Sequence, residues 1–213
     1  MEGQKALNDK IKTAIIYIIF TVGIAGHLSE TLKPVMITLT PYILIITGLL
    51  VLIFSKVLSD KKFLIWFLVS YLITFILEIA GVRTGLIFGE YKYGDVLGFS
   101  IAGVPLIIGF NWIVVILGGI GIGSLITGKK ISIAVIAGIT TVIFDYALEP
   151  AAVRLNYWSW LSGEIPLQNY LAWYLITFLI TLIFFLFKVK ISYKFFIHYL
   201  FAQFIFFLAL NTS

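Results

Sequence analysis

The chain has no cysteine, only two histidines and two methionines, and charged residues fill just 12% of its 213 positions. Without cysteine there is no thiol nucleophile, no zinc–thiolate site and no disulfide, and the redox compartment leaves no trace. So few charges exclude a disordered chain, which is solvated by them. No spacing of His, Asp and Glu marks a metal site, no Ser–His–acid set is visible, and no aspartate-rich DDxxD pair is present to hold magnesium and a diphosphate. The apolar runs do not alternate with polar residues, which argues against a transmembrane β-barrel.

What the chain does have is apolar residues: 61% of the total, with a mean hydropathy of +1.10. Soluble domains carry roughly 45–50%. A soluble fold of this size has no room to hide the excess, and exposing it drives aggregation. The composition therefore predicts an all-α polytopic membrane protein, with residues 1–213 forming one integral membrane domain. Net charge is +5, but the bases are scattered. Such bases orient a membrane protein and give no reason to expect nucleic acid.

A bilayer core takes about 20 apolar residues per helix. Seven stretches qualify: Ile11–Leu28, Ile37–Leu58, Phe63–Ala80, Val104–Thr127, Ile131–Leu148, Asn169–Phe187 and Tyr193–Leu210. The first is longer than the roughly 7–15 residues of a cleavable signal core and is expected to be retained. With seven spans, 11 Lys and Arg residues fall on one side and four (Lys33, Arg83, Lys92 and Arg154) on the other. The positive-inside rule then places the N-terminus in the cytoplasm. Both long loops, 81–103 and 149–168, fall outside. They are rich in Gly, Tyr, Trp and Pro, and loops of that kind carry binding chemistry.

Ionisable groups within spans are costly, so each is a functional candidate. Glu78 lies near the end of span three, and Asp145 and Glu149 near the end of span five. The i, i+4 spacing of the last two puts them on one helix face. Both spans run in the same direction, so the three acids reach one depth, together with His27 and Glu30. A carboxylate at a span end also fits headgroup water, or a pair with Arg83 or Arg154. In span four, Gly119 and Gly123 form a GxxxG pair suited to helix packing. The surrounding glycine run lacks the preceding strand that a dinucleotide loop requires. His198 and Gln203 in span seven read as a structural hydrogen-bonding pair of positions.

The two outer loops resemble each other. One carries Tyr91-Lys92-Tyr93, then Pro105-Leu106 and Asn111-Trp112; the other Trp158-Ser159-Trp160, then Pro166-Leu167, Asn169 and Trp173. Proline and tryptophan are seven residues apart in both. With Glu78 opening one unit and Asp145 the other, spans 3–4 and 5–6 read as a parallel repeat. Sites often form where such repeats meet.

These residues also carry a family resemblance. The segments are Glu78-Ile79-Ala80-Gly81-Val82-Arg83-Thr84-Gly85, Phe88-Gly89-Glu90-Tyr91-Lys92-Tyr93, Leu97-Gly98 and Gly103-Val104-Pro105-Leu106. Asp145, Leu148-Glu149-Pro150, Tyr157-Trp158-Ser159-Trp160, Ile165-Pro166, Asn169 and Trp173 follow. Together they resemble the carotenoid biosynthesis protein family over roughly half the chain, from Glu78 to Trp173. Glu164 departs from the pattern, in which glycine precedes Ile-Pro. The family contains membrane carotenoid hydratases acting on acyclic ψ-ends. The resemblance implies a carotenoid hydratase of the prokaryotic cytoplasmic membrane with an isoprenoid lipid substrate; hydration calls for no cofactor, and the charge distribution places the site towards the outer side.

Hydration of such an end needs an acid to protonate a trisubstituted alkene, a water to capture the tertiary cation, and a base. Paired carboxylates in a partly dry site can divide the acid and base roles. Asp145 is the expected proton donor, with Glu149 or Glu78 orienting or deprotonating water. Tyr91, Tyr93, Trp112, Trp158, Trp160 and Trp173 are the expected walls, since aromatic faces stabilise a passing cation. Asn111 and Asn169 are expected to hold the water, and Arg83 to keep one carboxylate ionised. Three other readings use the same features. One is an isoprenoid isomerase or cyclase, which loses a proton instead of gaining water. Another is a small transporter or proton-coupled carrier. The last is a carotenoid-binding subunit without turnover.

Overall fold

A computed structural model of the chain describes residues 2–212. Among these described residues, seven helices are long and apolar enough to cross a membrane. They are α1 (Glu2–Leu28), α2 (Lys33–Phe54), α3 (Lys61–Thr84), α4 (Leu106–Ile126), α5 (Lys130–Arg154), α6 (Leu167–Leu186) and α7 (Lys194–Asn211). Four short strands join them: β1 (Tyr91–Tyr93), β2 (Ser100–Ile101), β3 (Val104–Pro105) and β4 (Trp158–Trp160). All four lie in the connections 81–103 and 149–168 or at their edges.

The bundle is organised around α4. Residues Ile113 to Leu117 are completely buried, so this helix meets neighbours on every side. Lipid is as apolar as leucine, so close packing rather than the hydrophobic effect holds such a helix in place. The glycine run supplies that closeness. A Cβ on Gly119 would sit 3.2 Å from the Ala137 carbonyl oxygen, and one on Gly123 would sit 2.9 Å from that of Ile133. The GxxxG pair therefore faces α5 at backbone distance. Gly118 and Gly121 face α7 in the same way, against Leu200 and Tyr193. Thr141 Oγ1 donates to Thr177 Oγ1 at 3.0 Å, which links α5 to α6; interhelical bonds of this kind contribute about 0.6 kcal/mol on average.

Helix ends follow local chemistry more than hydropathy. Asp60 caps α3, accepting from the backbone N–H groups of Lys62 and Phe63 at 2.8 and 3.3 Å. At its other end α3 continues past Ala80 to Thr84 and stops at Gly85, whose φ of 68° suits a glycine C-cap. The second span stops at Phe54 rather than Leu58, because Lys56 turns left-handed at φ 55°. The larger correction concerns span five. The outer connection is expected from the sequence to begin at Glu149, and Pro150 in it lacks a helical N–H. Instead α5 runs on to Arg154, with Leu155 N–H bonded to the Ala151 carbonyl. Ala151 and Ala152 are buried beyond the proline, so packing holds the extra turn. Glu149 accordingly sits within a helix.

The two long connections pair with each other. β1 and β4 form an antiparallel ribbon in the register Tyr91–Trp160, Lys92–Ser159 and Tyr93–Trp158. Gly94 extends it, donating to the Tyr157 carbonyl at 2.9 Å. A side chain there would collide with the backbone, since a Cβ would lie 2.1 Å from the Asn156 carbonyl oxygen. β2 and β3 form a separate hairpin whose two-residue turn, Ala102-Gly103, has positive φ at both positions. That is the turn geometry that matches strand twist. The ends of α1, α5 and α7 and the start of α2 gather at one end of the bundle, around His27, Lys33, Arg154 and Leu210.

Candidate active site

The ribbon explains the aromatic-x-aromatic spacing. Alternate residues of a strand face the same way, so Tyr91 and Tyr93 share a face, as do Trp158 and Trp160, while Lys92 and Ser159 point away. Both aromatic pairs turn toward the C-terminal turns of α3 and α5, where the acids lie. Glu78, Asp145 and Glu149 are 3%, 1% and 2% exposed. Buried carboxylates need donors, and the ribbon provides them. Tyr91 and Tyr93 both donate their hydroxyls to Glu78 Oε2, the second at 2.7 Å. Trp158 and Trp160 both donate their indole N–H groups to Glu149 Oε2, at 3.0 and 2.9 Å.

Asn169, at the start of α6, closes the arrangement. Its Nδ2 donates to Asp145 Oδ2 at 2.7 Å and to Glu149 Oε1 at 3.1 Å. One amide thus holds the two acids of α5 side by side. Burial, and next the adjacent Glu78 carboxylate, raise the Tyr91 and Tyr93 hydroxyls above the ordinary tyrosine range. Both therefore remain protonated donors at neutral pH.

The three acids, both aromatic pairs, Asn169, Trp112 and Trp173 all line one cavity of about 20 Å³. Ten of the twelve residues expected at the site from the sequence are thereby brought together. Trp112 stacks on Trp173 with centroids 3.7 Å apart, and Phe88 stacks on the far side of Trp173 at 5.4 Å. Aromatic rings thus form a large part of the cavity wall, beside the acids, Asn169 and Ile108.

The two remaining residues lie elsewhere. Arg83 is exposed on the last turn of α3 and does not line the cavity. Asn111 turns to α7, where its Oδ1 accepts from Tyr199 and from Gln203, both at 2.8 Å. It borders a neighbouring cavity instead. The reason is helical phase, since Asn111 precedes Trp112 by one residue and so faces about 100° away from it. Gln203 and His198 both take the structural hydrogen-bonding role expected of them, Gln203 with Asn111 and His198 with the Tyr17 hydroxyl at 3.2 Å.

Phe88 and Ile108 also line the cavity. No separate signal marks Ile108, while Phe88 precedes Tyr91 within the segment that carries the family pattern. A further sequence signal lay unread. Glu78-Ile79-Ala80-Gly81-Val82-Arg83 matches Glu149-Pro150-Ala151-Ala152-Val153-Arg154 at four of six positions. It pairs Glu78 with Glu149 rather than with Asp145. The hydrogen bonds agree, because each of these glutamates receives two donors from the aromatic pair that follows it. Asp145 has no acidic counterpart on α3.

Comparison with known proteins adds two findings. A family model described as "Carotenoid biosynthesis protein" matches residues 34–213. A bisanhydrobacterioruberin hydratase from Haloarcula japonica is 29% identical over 107 residues. That alignment covers 46% of this chain and 36% of the relative, so the chain spans little more than a third of the curated relative's length. No solved structure matches the chain.

Proposed function

Because this chain belongs to the carotenoid biosynthesis protein family, we propose that its buried acids hydrate the terminal double bond of an acyclic carotenoid ψ-end. The observation that carries this reading is the cavity itself. Its volume of about 20 Å³ exceeds the roughly 10–15 Å³ that a single water needs. Three carboxylates and an amide surround that water-sized space, with aromatic faces for the rest of the wall. The hydratase relative supports the same reaction class.

The roles follow from the hydrogen bonds. Glu149 meets three N–H donors, two of them indoles that cannot accept. That is the environment of a carboxylate. Among the described residues, Asp145 receives only the Asn169 amide, which leaves it an oxygen to carry a proton. Two carboxylates one turn apart in a dry site are not comfortably both ionised. Asp145 therefore delivers its proton to the CH carbon of the terminal double bond, forming a C–H bond there and leaving a tertiary cation on the carbon that carries the two methyl groups. Trp112 and Tyr91, both on the cavity wall, are placed to stabilise that cation through their rings. Water bonds to the cationic carbon through oxygen, and its surplus proton passes to Glu149 and back to Asp145. The net change is addition of one water, giving a tertiary alcohol.

The E-x-A-(G/A)-V-R match and the paired donor sets support a parallel repeat of spans 3–4 and 5–6, with Glu149 as the counterpart of Glu78. The lysine and arginine distribution supports a cytoplasmic N-terminus and a site towards the outer side. The test is expression in cells accumulating lycopene or γ-carotene, with pigments read by mass spectrometry. The expected product is heavier by one water and absent with Asp145→Asn. A product of unchanged mass would favour isomerisation or cyclisation. Unchanged pigment across a panel of ψ-ended carotenoids, from verified membrane-inserted protein, would overturn the reading.

A further inference from the structure

A second cavity, of about 310 Å³, lies between α1, α2 and α7. Its walls are almost entirely apolar, and several of them, including Ile18, Val22 and Leu39, are exposed on the surface of the bundle. In a membrane that mouth opens sideways into lipid rather than to water. The groove is not isolated. Leu44, Tyr157 and Phe207 line both it and a small neighbouring cavity of about 30 Å³. Ile108, Trp112 and Trp158 line both that small cavity and the acid cavity. Three cavities thus form a series, each sharing walls with the next, from the lipid face to the carboxylates.

The polar groups of the groove narrow the ligand class. Thr40 donates to the Met36 carbonyl at 3.0 Å, so its oxygen accepts from Tyr157 at 3.3 Å. Gln203 is engaged with Asn111. His27 is different. Its Nδ1 donates to the Gly23 carbonyl at 2.8 Å, which leaves Nε2 of the neutral ring an acceptor, and among the described residues Nε2 has no hydrogen-bond partner. His27 is 8% exposed and lines the groove. The groove accordingly offers apolar contact and one unmatched acceptor, with no cation to hold a phosphate headgroup.

We propose that this groove is the binding channel for the chain of a long acyclic isoprenoid polyene, admitted from the bilayer and directed end-first through the narrow middle cavity toward Asp145. The inference rests on the proposed hydration for the identity of the reacting end. The middle cavity and the acid cavity are each smaller than an isopropylidene group, so arrival of the end requires Tyr157 and side chains around the acids to move aside. A lipid acyl chain in the same groove would bring only a methyl group to the acids, whereas a polyene brings an alkene.

The test separates binding from turnover. Protein in lipid nanodiscs is titrated with lycopene, and binding is followed by the shift and induced dichroism of the polyene absorption. Val22→Trp and Leu39→Trp, which fill the mouth, are expected to weaken lycopene binding at least 10-fold. Leu39→Ala, which widens it, guards against misfolding and is expected to alter the induced dichroism. Leu72→Trp, on the lipid-facing side of α3, is the control and should change nothing. Asp145→Asn should bind lycopene like the wild type while losing turnover. Unchanged lycopene affinity and dichroism in all three groove variants would overturn the channel, as would absence of lycopene binding to the wild type. Binding that depends on the groove, without hydration of any ψ-ended carotenoid, would keep the channel and discard the hydratase reading.

Discussion

Replacing Glu149 with glutamine probes the site where its hydrogen bonding is most constrained. The wild-type carboxylate receives three N–H donors, from Trp158, Trp160 and Asn169. A glutamine amide of the same size offers one acceptor oxygen and one NH2 group. If its oxygen faces the indoles, its NH2 faces the Asn169 donor. Asn169 must then flip, and its bond to Asp145 is lost. If the NH2 faces the indoles, two buried N–H groups go without partners. Either way, bonds to a charged group worth about 1.5–3 kcal/mol each become neutral bonds worth about 0.5–1.5, and at least one buried donor is orphaned at about 1–3 kcal/mol. The sum is a loss of about 4–7 kcal/mol locally. Part of that shows as a lower melting temperature in detergent. The rest shows as turnover reduced by about 10²–10⁴-fold, the usual contribution of a positioned acid or base. Alanine at the same position removes the acid and deprives all three donors of their acceptor, so it should destabilise the protein at least as much. Wild-type melting and wild-type turnover in Glu149→Gln would refute both the donor accounting and the role given to this residue.

Two further variants separate structure from chemistry. Gly94→Ala places a methyl group where only 2.1 Å separates it from the Asn156 carbonyl oxygen; it should part the ribbon and destabilise the protein by about 2–3 kcal/mol, read as a fall in melting temperature. Arg83→Ala should leave stability within about 0.5 kcal/mol of wild type and turnover unchanged, because the side chain is exposed and does not line the acid cavity; a large loss of turnover would restore the charge-stabilising role expected from its place in the sequence.

The spans were legible because hydropathy over about 20 residues is a strong signal. Their ends were less so. Pro150 ordinarily argues for a loop, but tertiary packing of Ala151 and Ala152 overrode that local preference. The ribbon was also hidden, since each strand has three residues and such a run is too short for alternation to stand out. The spacing of Tyr91 and Tyr93, and of Trp158 and Trp160, gained its meaning only once the two connections were seen to pair. Asn111 illustrates another limit. Its position in the loop comparison suggested the acid site, yet helical phase turned it to Tyr199 and Gln203. The groove between α1, α2 and α7 depends on contacts among helices distant in sequence, so no local pattern announced it.

The central claim is that solvent water is added at the carboxylate cavity. The most direct measurement is reaction of purified protein with lycopene in nanodiscs made up in oxygen-18 water, with the product analysed by mass spectrometry. The account predicts one heavy oxygen per hydrated end, retained in the tertiary alcohol and missing when Asp145 is asparagine. A product carrying no solvent oxygen, or undiminished formation of the alcohol by Asp145→Asn, would contradict it.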